Sequence, residues 1–372
     1  MKRLEKDSKK NIMIIGWYGT ETLGDRAILD GILYLLNKIY PKAHVSVGSL
    51  KPFFTERTLY EDRDLYAQTA PQISIDIFDV RDLRQLRREV RKSDIVMMGG
   101  GPLMDIDEMY IIKDAFCYAK RKRKKTMLLG CGYGPLNRPD CISCCKKILQ
   151  NSDVSIFRDE FSRDYAMKIC QRDNIIYLPD PAIFSVLQYK ELHRKKNANY
   201  IAVNVREYAN VYGEQNFSYI SELIRNLNKL DKKIILVPMH SFFWGGDDRE
   251  FFIKILDEYQ MKNVEYVHQP LSLEELYELY MNAEGCVGMR YHSILIQTIL
   301  NGRNIVIDYS GKDGKIQGFF AQYDKKHFYY DKMVDAGNYR KFDWHTNLLT
   351  EESFDFVLSK EYEKEYIERI KE

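Results

Sequence analysis

Short apolar runs alternate with helical stretches along almost the whole chain, and the alternation breaks once and restarts. In the first half, Asn11–Gly16, His44–Gly48, Ser93–Met98, Thr126–Leu129, Val154–Phe157 and Ile175–Leu178 read as strands. Between them, Asp25–Ile39, Ile111–Arg121, Cys141–Gln150 and Phe161–Cys170 carry helical periodicity. The strand runs are nearly continuous in apolar residues, the pattern of parallel strands covered on both faces. Glu191–Asn199 is polar and charged and reads as a linker. Beyond it, strands at Tyr200–Val205, Lys233–Val237, Val264–His268, Gly285–Val287 and Asn304–Ile307 alternate with helices at Ile220–Lys229, Arg249–Tyr259, Leu273–Met281 and Ser293–Leu300. A charged amphipathic helix is expected within Glu351–Glu372. The expectation is an α/β protein of two doubly wound parallel-sheet, Rossmann-like domains, residues 1–190 and 197–372, facing each other across a cleft. The last helix is expected to pack back on the first domain.

Ligands of such sheets bind outside the carboxyl ends of the strands. The strand ends of this chain are therefore where chemistry is sought. Cys286-Val-Gly288-Met-Arg290-Tyr291-His292 is the most informative of them. A strand-to-helix turn exposes backbone N–H groups at the positive end of a helix dipole, and a guanidinium and an imidazole stand beside it. Such a turn suits a phosphate or carboxylate with a titratable group at hand. Val203-Asn-Val-Arg206 puts a second Arg at a strand end of the same domain. Val237-Pro-Met-His240 puts a second His at another, followed by the Gly-rich, acidic Trp244–Asp248.

In the first half, Gly16-Trp-Tyr-Gly19-Thr-Glu-Thr-Leu-Gly24-Asp25 is a glycine-bearing loop without G-x-G-x-x-G spacing, and no P-loop pattern occurs. Asp25 either serves a hydroxyl or catalysis, or complements the dipole of the following helix. Met97-Met-Gly-Gly100-Gly101-Pro-Leu-Met-Asp105 either makes room for a bulky ligand or forms a tight turn. Gly130-Cys-Gly-Tyr-Gly134-Pro135 closes another strand. Arg158, in Phe157-Arg-Asp-Glu-Phe-Ser162, either pairs with a carboxylate such as that of Leu178-Pro-Asp180 or reaches towards a ligand.

Composition narrows the partners. A net charge of +2 gives no case for nucleic acid, and none is expected as a partner. Tyr, at 27 residues, suits sugar-binding clefts but also fills sheet faces. No apolar run approaches the ~20 residues a membrane helix needs, and a cytoplasmic protein is expected. Cys141-x-x-Cys144-Cys145 has no second pair at metal spacing, so the expectation is a thiol cluster on a helix and no metal. The run Lys120–Lys125 is either a solvated helix end or a contact for anionic lipid heads at the inner face of a membrane or for a pyrophosphate-linked lipid acceptor.

Together these motifs resemble the polysaccharide pyruvyl transferase family. The carriers are Gly24-Asp25-Arg-Ala-Ile-Leu29, Gly99 to Asp105, Gly132-Tyr-Gly-Pro135, Arg158 to Ser162, Asp180-Pro-Ala182 and Gly288-Met-Arg-Tyr-His292, six elements in the family order. The resemblance implies a GT-B-like pair of domains and an enzyme that takes phosphoenolpyruvate as donor, with no cofactor. It implies that pyruvate is attached as a ketal to two hydroxyls of a sugar in a surface polysaccharide or its lipid-linked precursor, with release of phosphate. Arg206, Arg290, Tyr291 and His292 are then the expected phosphoenolpyruvate contacts, on the second domain. His292 is the expected acid, and Asp25, Asp105 and His240 are candidates for the hydroxyl base. Gly19, Gly100, Gly101 and Arg158 are the candidates on the acceptor side. Two departures concern the acceptor: Pro102 replaces a usual glycine, and Gly311-Lys-Asp-Gly-Lys315 differs from the usual Y-D-x-K. The alternative is a GT-B glycosyltransferase using a nucleotide sugar, for which carboxylates such as Glu274 and Glu275 are ambiguous recognition candidates.

Overall fold

The computed structural model describes residues 9–20, 22–208, 217–310, 314–322, 333–334 and 353–372. The chain divides into two compact units. The first holds residues 1–20, 25–185 and 358–372, the second 21–24 and 186–357. The division falls inside a helix, between Ser185 and Val186, ahead of the polar stretch Glu191–Asn199.

In the first unit the strands are β1 (Asn11–Ile15), β2 (His44–Ser49), β3 (Ser74–Asp79), β4 (Ile95–Gly99), β5 (Pro102–Leu103), β6 (Lys125–Tyr133), β7 (Val154–Phe157) and β8 (Ile175–Tyr177). The helices are α1 (Leu23–Ile39), α2 (Pro52–Glu61), α3 (Arg63–Thr69), α4 (Leu83–Lys92), α5 (Met109–Arg121), α6 (Pro139–Gln150), α7 (Glu160–Ile169) and α8 (Ala182–Leu192), the last running on into the second unit. All pairings are parallel, in the order β3-β2-β1-β4-β6-β7-β8, with β5 against β6.

Both faces of this sheet are buried, which explains the unbroken apolar runs. Met13 and Ile15 face a core built with Leu86 and Val90 of α4, Ala115 and Phe116 of α5 and Ile148 of α6. Ile14, on the other face, meets Ile32 of α1 over Gly99. The segment between β2 and β4 went unassigned, although Ile73, Ile75 and Ile77 alternate as in a half-buried strand and Leu83, Leu86 and Val90 keep helical spacing. β3 is an edge strand whose side chains are mostly exposed or half-buried. α4 buries only Leu86, Glu89 and Val90 and gives most of the rest of its surface to cations.

The second unit repeats the plan. Its strands are β9 (Tyr200–Val203), β10 (Lys233–Leu236), β11 (Val264–Tyr266), β12 (Gly285–Gly288), β13 (Asn304–Ile307) and β14 (Met333–Val334). Its helices are α9 (Phe217–Asn228), α10 (Asp248–Glu258), α11 (Leu273–Asn282), α12 (Tyr291–Leu300) and α13 (Lys315–Gln322). The sheet is parallel, in the order β11-β10-β9-β12-β13-β14. Strand order therefore reverses between β9 and β12, as it does between β1 and β4 in the first sheet. In doubly wound folds such reversals are where ligands sit.

The last helix, α14 (Lys360–Lys371), belongs to the first unit. Its Tyr366 is fully buried, donates to the Pro179 carbonyl at 2.7 Å and stands edge-on to Phe184 at 5.5 Å. No described helix is long and apolar enough to cross a membrane.

Candidate functional site

The reversal point of the second sheet gathers its charged strand ends. Asn204, fully buried just past β9, links the neighbouring strands. Its side chain donates to the Val237 carbonyl beyond β10 at 2.9 Å and accepts the backbone N–H of Arg290 beyond β12 at 3.0 Å. That second bond fixes the turn in which Arg290 caps α12.

The Arg290 guanidinium is held from the side. Its Nε donates to Asp248 Oδ2 at 2.9 Å and its Nη2 to Asp248 Oδ1 at 2.5 Å. Asp248 is 2% exposed, and its Oδ2 also accepts the backbone N–H groups of Met239 and His240 at 3.0 and 3.2 Å. Four N–H donors on one carboxylate make a fixed anchor, and Arg290 is aimed by it. Arg206 is half-buried nearby. Burial, and then the Arg290 charge, push its pKa down from the ordinary guanidinium value. The Arg290 pKa is instead raised, because Asp248 outweighs its burial, so the cation beside this ion pair that is suited to an anion is Arg206.

Beyond β13, Tyr309 joins them. Its ring lies 6.0 Å from the Arg206 guanidinium and 5.3 Å from Lys315 Nζ. Burial alone would raise its pKa; Lys315, Arg206 and Arg290 outweigh burial and bring it to about 8. Asp308 is turned away from this cluster, since its Oδ1 accepts from Ser310 N–H and hydroxyl and its Oδ2 from Gln317. The neighbouring departure at Gly311–Asp313 lies outside the described residues.

His292 sits in the first turn of α12 with Gly24 against its Nδ1; a Cβ on Gly24 would come within 2.2 Å. Only glycine permits that approach. His240 is buried, with Nε2 at 2.8 Å from the Trp244 carbonyl and Nδ1 at 2.9 Å from the Thr22 hydroxyl. The carbonyl can only accept, so Nε2 carries the hydrogen and Nδ1 takes the hydroxyl proton of Thr22. Burial, and then Arg290, depress the His240 pKa, which favours this neutral form. Both ring nitrogens are thus engaged, and His240 holds Thr22 in place. Leu23 N–H adds a bond to the Met239 carbonyl at 3.1 Å, so residues 22–24 of the first loop fold with the second unit. Tyr291 is 5% exposed and packs edge-on against Phe319 at 5.8 Å. What it offers an anion is its backbone N–H at the start of α12.

The sequence-derived candidates of the first unit divide differently. Asp25, in the first turn of α1, is mostly buried. Its pKa is raised to about 7 by burial, with Arg158 pulling it down and Asp180 pushing it up. Arg158 is 3% exposed and bonded to Asp180 at 3.2 Å, the structural pairing of the two readings, with Gly132 packed on its guanidinium. Asp105 is committed to the loop that follows β6. Its Oδ2 accepts Asn137 N–H at 2.8 Å and its Oδ1 Arg138 N–H at 2.9 Å. Gly100 and Gly101 have φ of +73° and +74°, and the space above them is filled by Ile28 and Trp17. They make a tight turn, not room for a ligand. Gly19 likewise lies on Ser49 and Lys51.

Asp248, Asn204, Tyr309, Lys315 and Thr22 escaped the sequence reading. Asp248 left a trace in the acidic end of Trp244–Asp248 and Lys315 one in the Gly311–Lys315 departure; Asn204, Tyr309 and Thr22 were not singled out, because what they meet is brought to them by strands distant in sequence.

The family model for polysaccharide pyruvyl transferase matches residues 23–311, more than three-quarters of the chain. The chain belongs to the polysaccharide pyruvyl transferase family. That match takes in Asp25, Arg206, His240, Asp248, Arg290, His292 and Tyr309, and stops short of Thr22 and Lys315. No curated protein matches the sequence. Among solved structures, UDP-GlcNAc 2-epimerase from Methanocaldococcus jannaschii is similar with a TM-score of 0.62 at 13% identity, over 97% of this chain and 99% of that one. MnaA of S. aureus, in a co-structure with UDP, has a TM-score of 0.62 at 10% identity, over 97% and 96%. HepE of Anabaena, in complex with UDP-glucose, has 0.57 at 11%, over 97% and 99%. At these identities the likeness is one of fold: this family member is built of two GT-B-like parallel-sheet domains.

Proposed function

We propose that the protein transfers the pyruvyl unit of phosphoenolpyruvate to two hydroxyls of a sugar, in a surface polysaccharide or its lipid-linked precursor, forming a ketal and releasing phosphate. The observation that carries the donor is the cation cluster at the β9/β12 reversal. Arg206, Arg290 and Lys315, with the α12 amides, match a ligand bearing both a carboxylate and a phosphate.

The reaction asks for few groups. A proton is added to the methylene carbon, which leaves the neighbouring carbon electron-poor. One sugar hydroxyl bonds to that carbon and loses its proton. The C–O bond to phosphate breaks, and the second hydroxyl closes the ketal, its proton leaving with phosphate. His292 is assigned the proton donation, and the phosphate-facing cations stabilise the departing dianion; a positioned acid contributes ~10²–10⁴-fold. Asp25 is the carboxylate whose pKa, about 7, suits removal of a hydroxyl proton near neutrality. The alternative, a nucleotide-sugar transferase, loses a candidate: Glu275 is spent in a capping box with Ser272, accepting its N–H at 2.8 Å.

Thermal unfolding with phosphoenolpyruvate, beside a series of nucleotide sugars, tests the reading without a known acceptor. A ligand that binds only the folded chain raises the melting temperature by mass action. Stabilisation by phosphoenolpyruvate that Arg290→Ala abolishes is expected. Stabilisation by a nucleotide sugar alone would overturn the donor. His292→Ala should leave the melting temperature without ligand unchanged and lose turnover by more than ~10²-fold.

A further inference from the structure

α4 packs against α5 on the first unit, and the exposed side of α4 and the end of α5 share the ring of Tyr118. α4 presents Arg84, Arg87, Arg88, Arg91 and Lys92; its acidic Glu89 is buried and already bonded to Arg88 and Lys92. Arg121, Lys122 and Arg123 follow at the end of α5, all exposed. Arg84, Arg87, Arg121, Lys122 and Arg123 make no ion pair among the described residues.

The cations are focused on one side chain. Arg91 donates to the Tyr118 hydroxyl at 2.9 Å, and Arg87, Arg121 and Lys122 lie 5.7, 5.5 and 5.5 Å from its ring. Such a group of like charges repels itself unless an anion joins it. Beside the ring is a hollow of about 100 Å³ with an apolar floor of Leu86, Val90 and Ala115, and Leu83 at its rim is 39% exposed. The lining carboxylate, Asp114, is paired with Lys113 at 3.2 Å. Arg123 adds a further point. Its φ is +56°, a left-handed conformation at a helix end where glycine costs nothing and a side chain costs about 1 kcal/mol. A cation stands there all the same.

We propose that this α4–α5 face docks the protein on an anionic phospholipid bilayer, headgroup phosphates meeting the Arg87–Arg91–Arg121 cluster and Leu83 entering the headgroup layer. Charge selects an anionic partner. A single-stranded nucleic acid is disfavoured because it needs open aromatic faces to stack on, and the face of Tyr118 is taken by cations. This deepens the acceptor side of the proposed function, for a lipid-linked sugar is met at such a surface, and it stands whether or not phosphoenolpyruvate is the donor.

Co-sedimentation of the full chain with phosphatidylcholine vesicles, with and without phosphatidylglycerol, tests it. Binding is expected only to the anionic vesicles, falling as salt is added and falling ~5-fold for each cation removed. Arg87→Glu with Arg121→Glu should abolish it. Arg123→Gly should weaken it while the melting temperature holds or rises, which separates charge from folding. Equal binding by wild type and these variants, or no binding to anionic vesicles, overturns the proposal. Binding to an oligonucleotide but not to vesicles, lost in the same variants, overturns it in favour of a nucleic acid. The phosphoenolpyruvate shift, read on the same preparations, reports on the donor separately.

Discussion

At the scale of single residues, carboxylates divide by the company they keep. Asp248 takes four N–H donors, two from backbone and two from Arg290. An amide there would turn one acceptor into a donor facing donors. Asp248→Asn should therefore leave Arg290 present but misaimed, lowering kcat by about 10²-fold, with a smaller loss of phosphoenolpyruvate affinity than Arg290→Ala gives. Unchanged kcat would show that the clamp needs no anchor. Asp30 is the opposite case. It is fully buried in α1, and burial raises its pKa to about 7, against the lowering effect of Thr69 and Ser185. The folded chain thus holds a proton that the unfolded chain releases at its ordinary value of 3.8. That contribution to stability is complete below 3.8 and is lost as pH rises to about 7, roughly 4 kcal/mol in all. Asp30→Asn should flatten this part of the stability–pH curve in urea unfolding; a curve parallel to wild type would place the titration elsewhere.

Among the elements, the turn between β4 and β5 shows how glycines can imitate a binding loop. Three glycines after an apolar strand read equally as space for a ligand or as a tight turn. Only the position of α1, whose Ile28 fills the space over Gly100, separates the two. A Cβ on Gly100 would lie 2.2 Å from Ile28, in a left-handed backbone. Gly100→Ala should cost roughly 2–4 kcal/mol in unfolding free energy, whatever its effect on activity. A neutral substitution would mean that the turn yields. β3 and α4 were legible by the same kind of local pattern, the alternation of Ile73, Ile75 and Ile77 and the helical spacing of Leu83, Leu86 and Val90, and went unassigned all the same.

For the molecule as a whole, α14 closes the first unit far from that unit's other residues in sequence. Tyr366→Ala removes a buried ring, its contact with Phe184 and its bond to Pro179, and should lower stability by about 3–5 kcal/mol in thermal or urea unfolding. A loss under 1 kcal/mol would mean that the helix adds nothing to the unit.

The sequence by itself determined the parallel-sheet class, the two-fold repeat of the plan and the family. Continuous apolar runs and strand-end glycines are local patterns, and six short motifs in order are specific. It also marked Arg206, Arg290 and His292, because each follows a strand whose end is legible. Only the tertiary structure decided what the remaining groups do. Asp105 and Arg158 became structural, Asp248 became an anchor and Tyr309 joined the cations. A side chain's role depends on which donors, acceptors and charges fold against it, and strand order, not spacing along the chain, brings those together.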